Sequence, residues 1–320
     1  MPITAILGGR AYTIDLMFRG AAQAIAAFLL PGRDGEFALI ECGPESCLPA
    51  LRKGIEEAGF ELEKLAAIAV THIHLDHAGA AGALAQSTGA RVLVHPKGAP
   101  HLLDPTRLWE SAARLYGDRM RELWGGMTPV PEARLKILQD GERFVLAGWE
   151  IRALETPGHA FHHHAYATAE RDLFCGDIAG IRLPGVAYVQ PPTPPPELHL
   201  ESWYQSIERL LGLQPRQLIL THFGPAEGDP RAHLMELRNR LSAWGERILG
   251  WMRKGLPEQE QIQLLYTLVA EELRRAGVPP QIEEKYGRSS VLELCLIGYQ
   301  RYWRKVNPER LVLTETSPPA

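Results

Sequence analysis

Residues 65–77 read LAAIAVTHIHLDH, an apolar run of strand length that leads directly into three histidines and an aspartate. Imidazole and carboxylate groups are ligands that suit zinc, iron or manganese. Because alternate residues of an extended segment share a face, His72 and His74 can point the same way. The turn that follows can bring Asp76 and His77 to a second position nearby. One ion could not take all four ligands from so short a segment, so we predict two neighbouring metal ions.

Three further residues of metal-binding type lie elsewhere in the chain, each after a predicted strand. They are His159 after a Thr-Pro-Gly turn, Asp177 after residues 173–175, and His222 after residues 217–220. Loops at the carboxyl ends of strands build the sites of layered α/β proteins. We therefore expect these residues to join the cluster at 72–77.

The motifs H-x-H-x-D-H, Pro-Gly-His, Gly-Asp and a strand-terminal Thr-His follow one another in this order. In that order they resemble the metallo-β-lactamase superfamily of hydrolases, over roughly residues 10–227. The resemblance implies an α/β fold, a four-layer αββα sandwich of the metallo-β-lactamase type.

The same resemblance implies a ligand set and a chemistry. The implied ligands are His72, His74 and His159 for a first metal, Asp76, His77 and His222 for a second, and Asp177 as a bridge between them. We expect two divalent ions, Zn²⁺ first and Fe or Mn as alternatives. A hydroxide between the ions would attack an ester, lactone or thioester carbonyl.

Two positions distinguish this chain from parts of that superfamily. Many members carry an Asp-x-Gly turn before the first helix, where this chain has Glu41-Cys42-Gly43. The branch that opens penicillins commonly has a cysteine ligand at the position of Asp177. The aspartate makes the chain look more like the glyoxalase II and lactonase branches, so we do not expect β-lactamase activity as the native role.

Three residues are candidates for catalysis: Asp76, Asp177 and Tyr188. Asp76 is expected to bind metal and to orient the hydroxide. Some lactonase relatives place a tyrosine over the metals to hydrogen-bond the tetrahedral oxygen, and Tyr188 is the candidate for that role, with loop packing as the alternative. The roles of His162, His163 and His164 stay open between a structural position and one that supports the ligands.

The periodicity of apolar residues indicates the domain organisation. We predict a catalytic domain at 1–227, with an aromatic helical insertion at 104–131 near the site, and a helical domain at 228–320. The C-terminal helices are expected to pack on the catalytic domain or to form a homodimer. The apolar insertion favours a small-molecule acyl substrate.

Composition excludes several other classes. The net charge is −4, the pI is about 6.3, and no long basic stripe occurs, so we expect no nucleic-acid partner. No apolar stretch is long enough to cross a bilayer, and the start lacks a signal-peptide pattern. The four cysteines form no C-x-x-C pair. These features favour a cytoplasmic protein with reduced thiols and no membrane partner.

The same site could serve other reactions. A phosphodiesterase or nuclease would use it for phosphoryl transfer, and an iron-dependent persulfide dioxygenase would use it for oxidation. A binding scaffold that keeps a structural metal pair is the non-enzymatic alternative. Structural zinc sites usually have closed four-ligand sets, and the set here leaves room for water.

Overall fold

Two β-sheets form the centre of the molecule, whose computed structural model describes residues 3–289 and 291–312. The first sheet comprises, in spatial order, β1 (Ile3–Ile6), β2 (Ala11–Asp15), β3 (Ala26–Pro31), β4 (Phe37–Ile40), β5 (Leu65–Ala69), β6 (Arg91–Val94) and β7 (Leu135–Ile137). The second comprises β13 (Gly224–Pro225), β12 (Gln217–Leu220), β11 (Asp172–Gly176), β10 (His164–Thr168), β9 (Trp149–Glu155) and β8 (Arg143–Leu146).

Helices cover the outer faces of both sheets. On the first sheet lie α1 (Leu48–Glu57), α2 (Leu75–Ala78), α3 (Ala81–Thr88), α4 (Ala99–Leu103), α5 (Thr106–Tyr116) and α6 (Met120–Trp124). On the second lie α7 (Leu200–Gly212), α8 (Pro230–Arg253), α9 (Glu258–Arg275), α10 (Pro280–Ser289) and α11 (Leu292–Lys305).

Three hydrophobic clusters hold these layers together. Along β3, Leu29 faces the helices of the first layer, whereas Phe28 faces the second sheet and contacts Phe174. This alternation is the period of two of a strand that is buried on both faces. The outer face of the second sheet packs on α7 and α8 through Trp203 and Leu237. The result is the expected four-layer αββα sandwich with C-terminal helices.

Strand direction gathers the site at one edge of the sandwich. Strands β4 and β5 run parallel, so the residues after Ile40 and after Ala69 emerge at the same edge. In the second sheet β11 and β12 are also parallel, and β9 has the same direction because both β9 and β11 are antiparallel to β10. The segments that follow β9, β11 and β12 therefore meet those of the first sheet.

The insertion predicted at 104–131 and the described part of the C-terminal extension, 228–289 and 291–312, both contain helices; residues 290 and 313–320 of that prediction lie outside the described residues. The insertion at 104–131 contains α5 and α6 and is held against the start of α1, where the Ser46 hydroxyl donates to the Leu123 carbonyl at 2.6 Å. Beyond residue 228, helix α8 begins at Pro230 with the Asp229 side chain as its N-cap. Its buried face shares a hydrophobic cluster with the second sheet. The division of the chain at 227 and the homodimer both stay predictions.

Within residues 3–289 and 291–312, none of the helices is both long enough and apolar enough to span a bilayer.

Candidate metal centre

The cluster predicted from residues 72–77 forms as the chain leaves β5. His72 and His74 lie in the short bent segment between the strand and the helix α2, which begins at Leu75. The His77 amide donates to the His74 carbonyl at 3.0 Å and turns the chain. The turn sends Asp76 and His77 to a different position from the first two histidines, as the spacing predicts.

A first group of three imidazoles converges on one point. His74 Nδ1 lies 2.9 Å from His72 Nε2 and 3.0 Å from His159 Nε2. Nitrogens bound to a common tetrahedral zinc at about 2.0–2.1 Å would lie roughly 3.3 Å apart. Burial lowers the pKa of all three histidines, that of His74 to about 3. At neutral pH these rings are therefore uncharged and can offer lone pairs to a cation.

A second group joins an aspartate with two histidines. His77 Nε2 lies 3.7 Å and His222 Nε2 lies 3.5 Å from Asp76 Oδ2. Burial would raise the pKa of Asp76, but the two imidazoles outweigh it and lower the pKa to about 2. Burial would lower the pKa of His222, yet Asp177 and Asp76 raise it to about 10. Each group brings three ligand atoms close enough to hold a metal ion.

Asp177 stands between the two groups. Its Oδ2 lies 3.3 Å from His159 Nε2, and its Oδ1 lies 3.4 Å from His77 Nε2 and 3.3 Å from His222 Nε2. Burial opposes ionisation, but the surrounding imidazoles hold the pKa of this carboxyl well below its usual range. Asp177 Oδ1 and His77 Nε2 are buried without a hydrogen-bond partner among the described residues. A buried carboxylate oxygen and a buried ring nitrogen that lack hydrogen-bond partners are suited to bind a cation.

Glu41 is the buried support of the second group. Its Oε1 accepts from the Thr71 hydroxyl at 2.5 Å, from His77 Nδ1 at 2.9 Å and from the Thr221 hydroxyl at 3.2 Å, while its Oε2 accepts from the Thr71 amide at 3.2 Å. Glu41, His72 and His77 also lie close enough together to hold a cation. We assign Glu41 the role of positioning His77 and not of binding a metal ion, because its two oxygens already accept hydrogen bonds from four donors. The longer side chain found in place of aspartate thus links β4, β5 and β12.

Three other rings of the two groups also make a contact through their second nitrogen. The Nδ1 atoms lie 2.6 Å from the Ala24 carbonyl for His222, 2.9 Å from the Pro192 carbonyl for His159, and 3.0 Å from the Thr71 hydroxyl for His72. Such bonds fix the tautomer and the ring orientation. Backbone carbonyls such as those of Ala24 and Pro192 leave no mark in a sequence. Of the three partners only Thr71, which directly precedes His72, could have been recognised there.

The three histidines at 162–164 separate into different environments. His163 contacts the Thr156 hydroxyl through Nδ1 at 2.8 Å and accepts the Asp177 amide on Nε2 at 3.2 Å, so it positions the residue between the two groups. His162 pairs with Glu197 at 3.3 Å. His164 begins β10 and packs on His95, with ring centroids 4.5 Å apart.

Tyr188 is the one catalytic candidate that the structure moves elsewhere. Its side chain is fully buried, its hydroxyl donates to Glu272 on α9 at 3.2 Å, and the Arg240 guanidinium lies 4.2 Å from its ring centroid. The prediction of a hydroxyl poised over the metals is wrong, because this hydroxyl is committed to a carboxylate between the 180–196 loop and the C-terminal helices. Loop packing, the alternative, is what the structure shows.

The aromatic insertion does approach the site. Tyr116 at the end of α5 packs on the hydrophobic cluster that contains Ile73 and Leu75, the neighbours of His74 in the chain. Burial, and after it the charge of Asp76, raises the pKa of Tyr116. The Asp76 side chain is 23% exposed, whereas that of His77 is fully buried. Solvent therefore reaches the second group from the side of Asp76.

The protein thus has four layers, with histidine and carboxylate groups gathered at one edge of the sandwich. This arrangement defines a class of αββα proteins whose site can bind metal ions. Residues 23–223 match the model of the metallo-beta-lactamase superfamily, which is more than half of the chain. The chain belongs to this superfamily.

Its similarity to individual proteins is more limited. It is 33% identical over 167 residues to the metallo-beta-lactamase fold-containing protein ST1585 of Sulfurisphaera tokodaii, 51% of this chain and 62% of that protein. It is 30% identical over 138 residues to the hydroxyacylglutathione hydrolase of Albidiferax ferrireducens, 42% of this chain and 40% of that protein. The chain thus spans less than two thirds of either relative. The structure of the metallo-beta-lactamase family protein TTHA1429 from Thermus thermophilus superposes with a TM-score of 0.64 at 26% identity, over 88% of this chain and 89% of that one.

Proposed function

We propose that this protein is a hydrolase of carboxylic esters, lactones or thioesters that works with two divalent metal ions, Zn²⁺ first. The observation that carries the proposal is Asp177, whose two oxygens face two separate groups of nitrogen and oxygen ligands. His72, His74 and His159 would hold one ion, Asp76, His77 and His222 the other. Two such ions, when bound, supply Lewis acidity and a water whose pKa is near neutrality.

The chain's own residues prepare that reaction. Asp76 stays ionised at neutral pH because its pKa is about 2, so it can accept a hydrogen bond from a water on the open side of the site. Glu41 and His163 hold His77 and Asp177 in position. With these groups fixed beforehand, little rearrangement is needed when charge develops on the substrate oxygen.

Two observations favour an acyl substrate over a phosphodiester. The aromatic insertion packs on the hydrophobic cluster that contains Leu75, next to Asp76 in the chain, and the net charge of the chain is negative. A thioester also fits the name of one relative, the hydroxyacylglutathione hydrolase. Cytoplasmic location and the absence of a nucleic-acid partner belong to the same proposal.

The test is a substrate panel with metal-loaded full-length protein. We expect cleavage of aryl esters, lactones or thioesters. In His74→Ala the rate of cleavage should fall at least about 100-fold, because a nitrogen that would hold one of the two ions is removed. His101→Ala is the matched control, since the described residues offer no hydrogen-bond partner to its half-buried ring, and it should keep full activity. Faster turnover of bis-(p-nitrophenyl) phosphate, or oxygen uptake with a persulfide, would replace acyl hydrolysis by one of the alternative reactions.

A further inference from the structure

We propose that helix α11 holds His159 in its ligand orientation through the proline-rich segment 191–196, and that Gly298 on this helix is the positioning residue. This inference rests on the proposed function, because it takes His159 as a metal ligand. It gives the C-terminal helices a role in the metal site, beyond covering the second sheet.

The first step is the bond between His159 and the segment. His159 Nδ1 lies 2.9 Å from the Pro192 carbonyl, and both residues are buried. A carbonyl can only accept, so Nδ1 carries the proton and Nε2 is left with its lone pair. Nε2 is the atom that faces His74 and Asp177. The position of one carbonyl therefore sets the direction in which the ligand points.

The second step is the attachment of that segment to α11. The Thr193 hydroxyl donates to the Cys295 carbonyl at 3.4 Å, and Arg301 Nε donates to the Pro196 carbonyl at 3.0 Å. Helix α11 is itself fixed to α8, because the Tyr299 hydroxyl donates to the Leu241 carbonyl at 2.9 Å and Trp303 Nε1 donates to the Gly245 carbonyl at 3.0 Å.

The third step is the close approach at Gly298. A Cβ atom added there would lie 1.9 Å from the Thr193 carbonyl oxygen, whereas real Cβ atoms essentially never come closer than 3.0 Å to a neighbour. The backbone must then separate by about 1 Å to restore ordinary contact. Because α11 is held by its bonds to α8, the segment is the part that moves. Pro192, the adjacent residue, moves with Thr193, and its bond to His159 is stretched or lost.

The consequence should appear in metal binding before it appears in folding. Loss of a bond that orients a ligand typically weakens metal affinity by about 10–100-fold. Only the ion of the first group should be affected, because the described contacts of Asp76, His77 and His222 do not include the segment 191–196.

The experiment compares Gly298→Ala with Gly250→Ala in the full-length protein. Gly250 lies on α8, where an added Cβ meets nothing within 4 Å, so this variant is the matched control. Each protein is stripped with a chelator and titrated with Co²⁺, whose absorption bands report ligand geometry. We expect two ions in the wild type and the control. In Gly298→Ala one of the two should bind about 10–100-fold more weakly with an altered spectrum. Thermal unfolding of the metal-free forms separates this effect from a general loss of stability.

Three outcomes decide the question. Wild-type affinity for both ions in folded Gly298→Ala would overturn the positioning role. If the wild type bound no Co²⁺ at all, the proposed function would fail instead. If Gly298→Ala does not fold, Thr193→Val removes the hydroxyl that bonds to α11 while keeping the side-chain shape. We then expect a smaller loss at the same ion, and unchanged affinity would overturn the inference.

Discussion

Replacement of Glu41 by glutamine tests how much of the site depends on one buried carboxylate. Glutamine keeps the size of the side chain but replaces one acceptor oxygen by a donor group. The amide oxygen can take the place of Oε1, which serves three donors, and the amide nitrogen then faces the Thr71 N–H, formerly bound at 3.2 Å. Any other orientation turns the amide nitrogen toward the three donors instead.

The magnitude follows from those contacts. One buried donor left without an acceptor costs about 1–3 kcal/mol. The hydrogen bonds that remain now go to a neutral amide oxygen instead of a charged carboxylate, and charge-assisted hydrogen bonds are roughly twice as strong as neutral ones. We expect a loss of about 2–4 kcal/mol in the free energy of unfolding. For a chain of this size, that lowers the melting temperature by roughly 3–6 °C.

Thermal unfolding in the presence of chelator measures the stability of the metal-free protein, and a metal titration measures the site. Affinity for the ion of the second group should fall about 10–100-fold, because His77 loses a charged partner at Nδ1. The control is Glu57→Gln, whose carboxylate is partly exposed and pairs with Lys53 at 3.8 Å; it should change stability by at most about 0.5 kcal/mol. A Glu41→Gln protein as stable as this control, with unchanged metal affinity, would refute the reasoning.

Two further predictions concern the metal-free protein and the corrected tyrosine. Burial opposes protonation of His222, but Asp177 and Asp76 raise its pKa to about 10 from the ordinary 6.5. Its contribution to stability is therefore fully present below pH 6.5 and is lost as pH rises toward 10, so the melting temperature with chelator should fall over that window in the wild type. Burial would lower the pKa of His77, but Asp76, Glu41 and Asp177 raise it well above its ordinary value, so a smaller fall should remain in His222→Ala. Tyr188→Phe removes the bond to Glu272 and should lower stability by about 1 kcal/mol, which chemical denaturation can measure, while kcat/KM on the best ester stays within about twofold. A large loss of kcat/KM would restore Tyr188 as a candidate for catalysis.

The positions of the candidate ligands could be predicted because they depend on local order along the chain. A buried strand that leads into His72 and His74 brings both rings to the end of that strand, where His72 Nε2 and His74 Nδ1 lie 2.9 Å apart. Asp177 and His222 each follow a strand, and strands that run the same way deliver their following residues to one edge. The structure brings these residues together as the pattern predicts.

The position of Tyr188 could not be predicted from local order. It follows Asp177 in a loop, and the local sequence does not indicate which part of the core a loop side chain packs into. Its contacts, Glu272 and Arg240, lie far along the chain on the C-terminal helices. A hydroxyl near a ligand in sequence is therefore weak evidence for a hydroxyl near a ligand in space.

Strand β10 is another element that the sequence alone does not predict. It begins at His164, directly after two other histidines, and no alternation of apolar and polar residues marks it. Its pairing with β9 and β11 supplies the stability that local propensity does not indicate. The carbonyl partners of the ligands were hidden in the same way, because the Ala24 carbonyl that orients His222 lies 198 residues before it.

The two groups of candidate ligands share one support within the described residues. Glu41 bonds to His77, Thr71 and Thr221, and the Thr71 hydroxyl also contacts His72 Nδ1, so this network reaches both groups. The carbonyl that orients His159 belongs instead to a segment held by α11. A change at Gly298 should therefore weaken the ion of the first group, whereas a change at Glu41 should weaken the ion of the second group and, through Thr71 and His72, also reach the first. Asp177, which faces both groups, joins them at a second point.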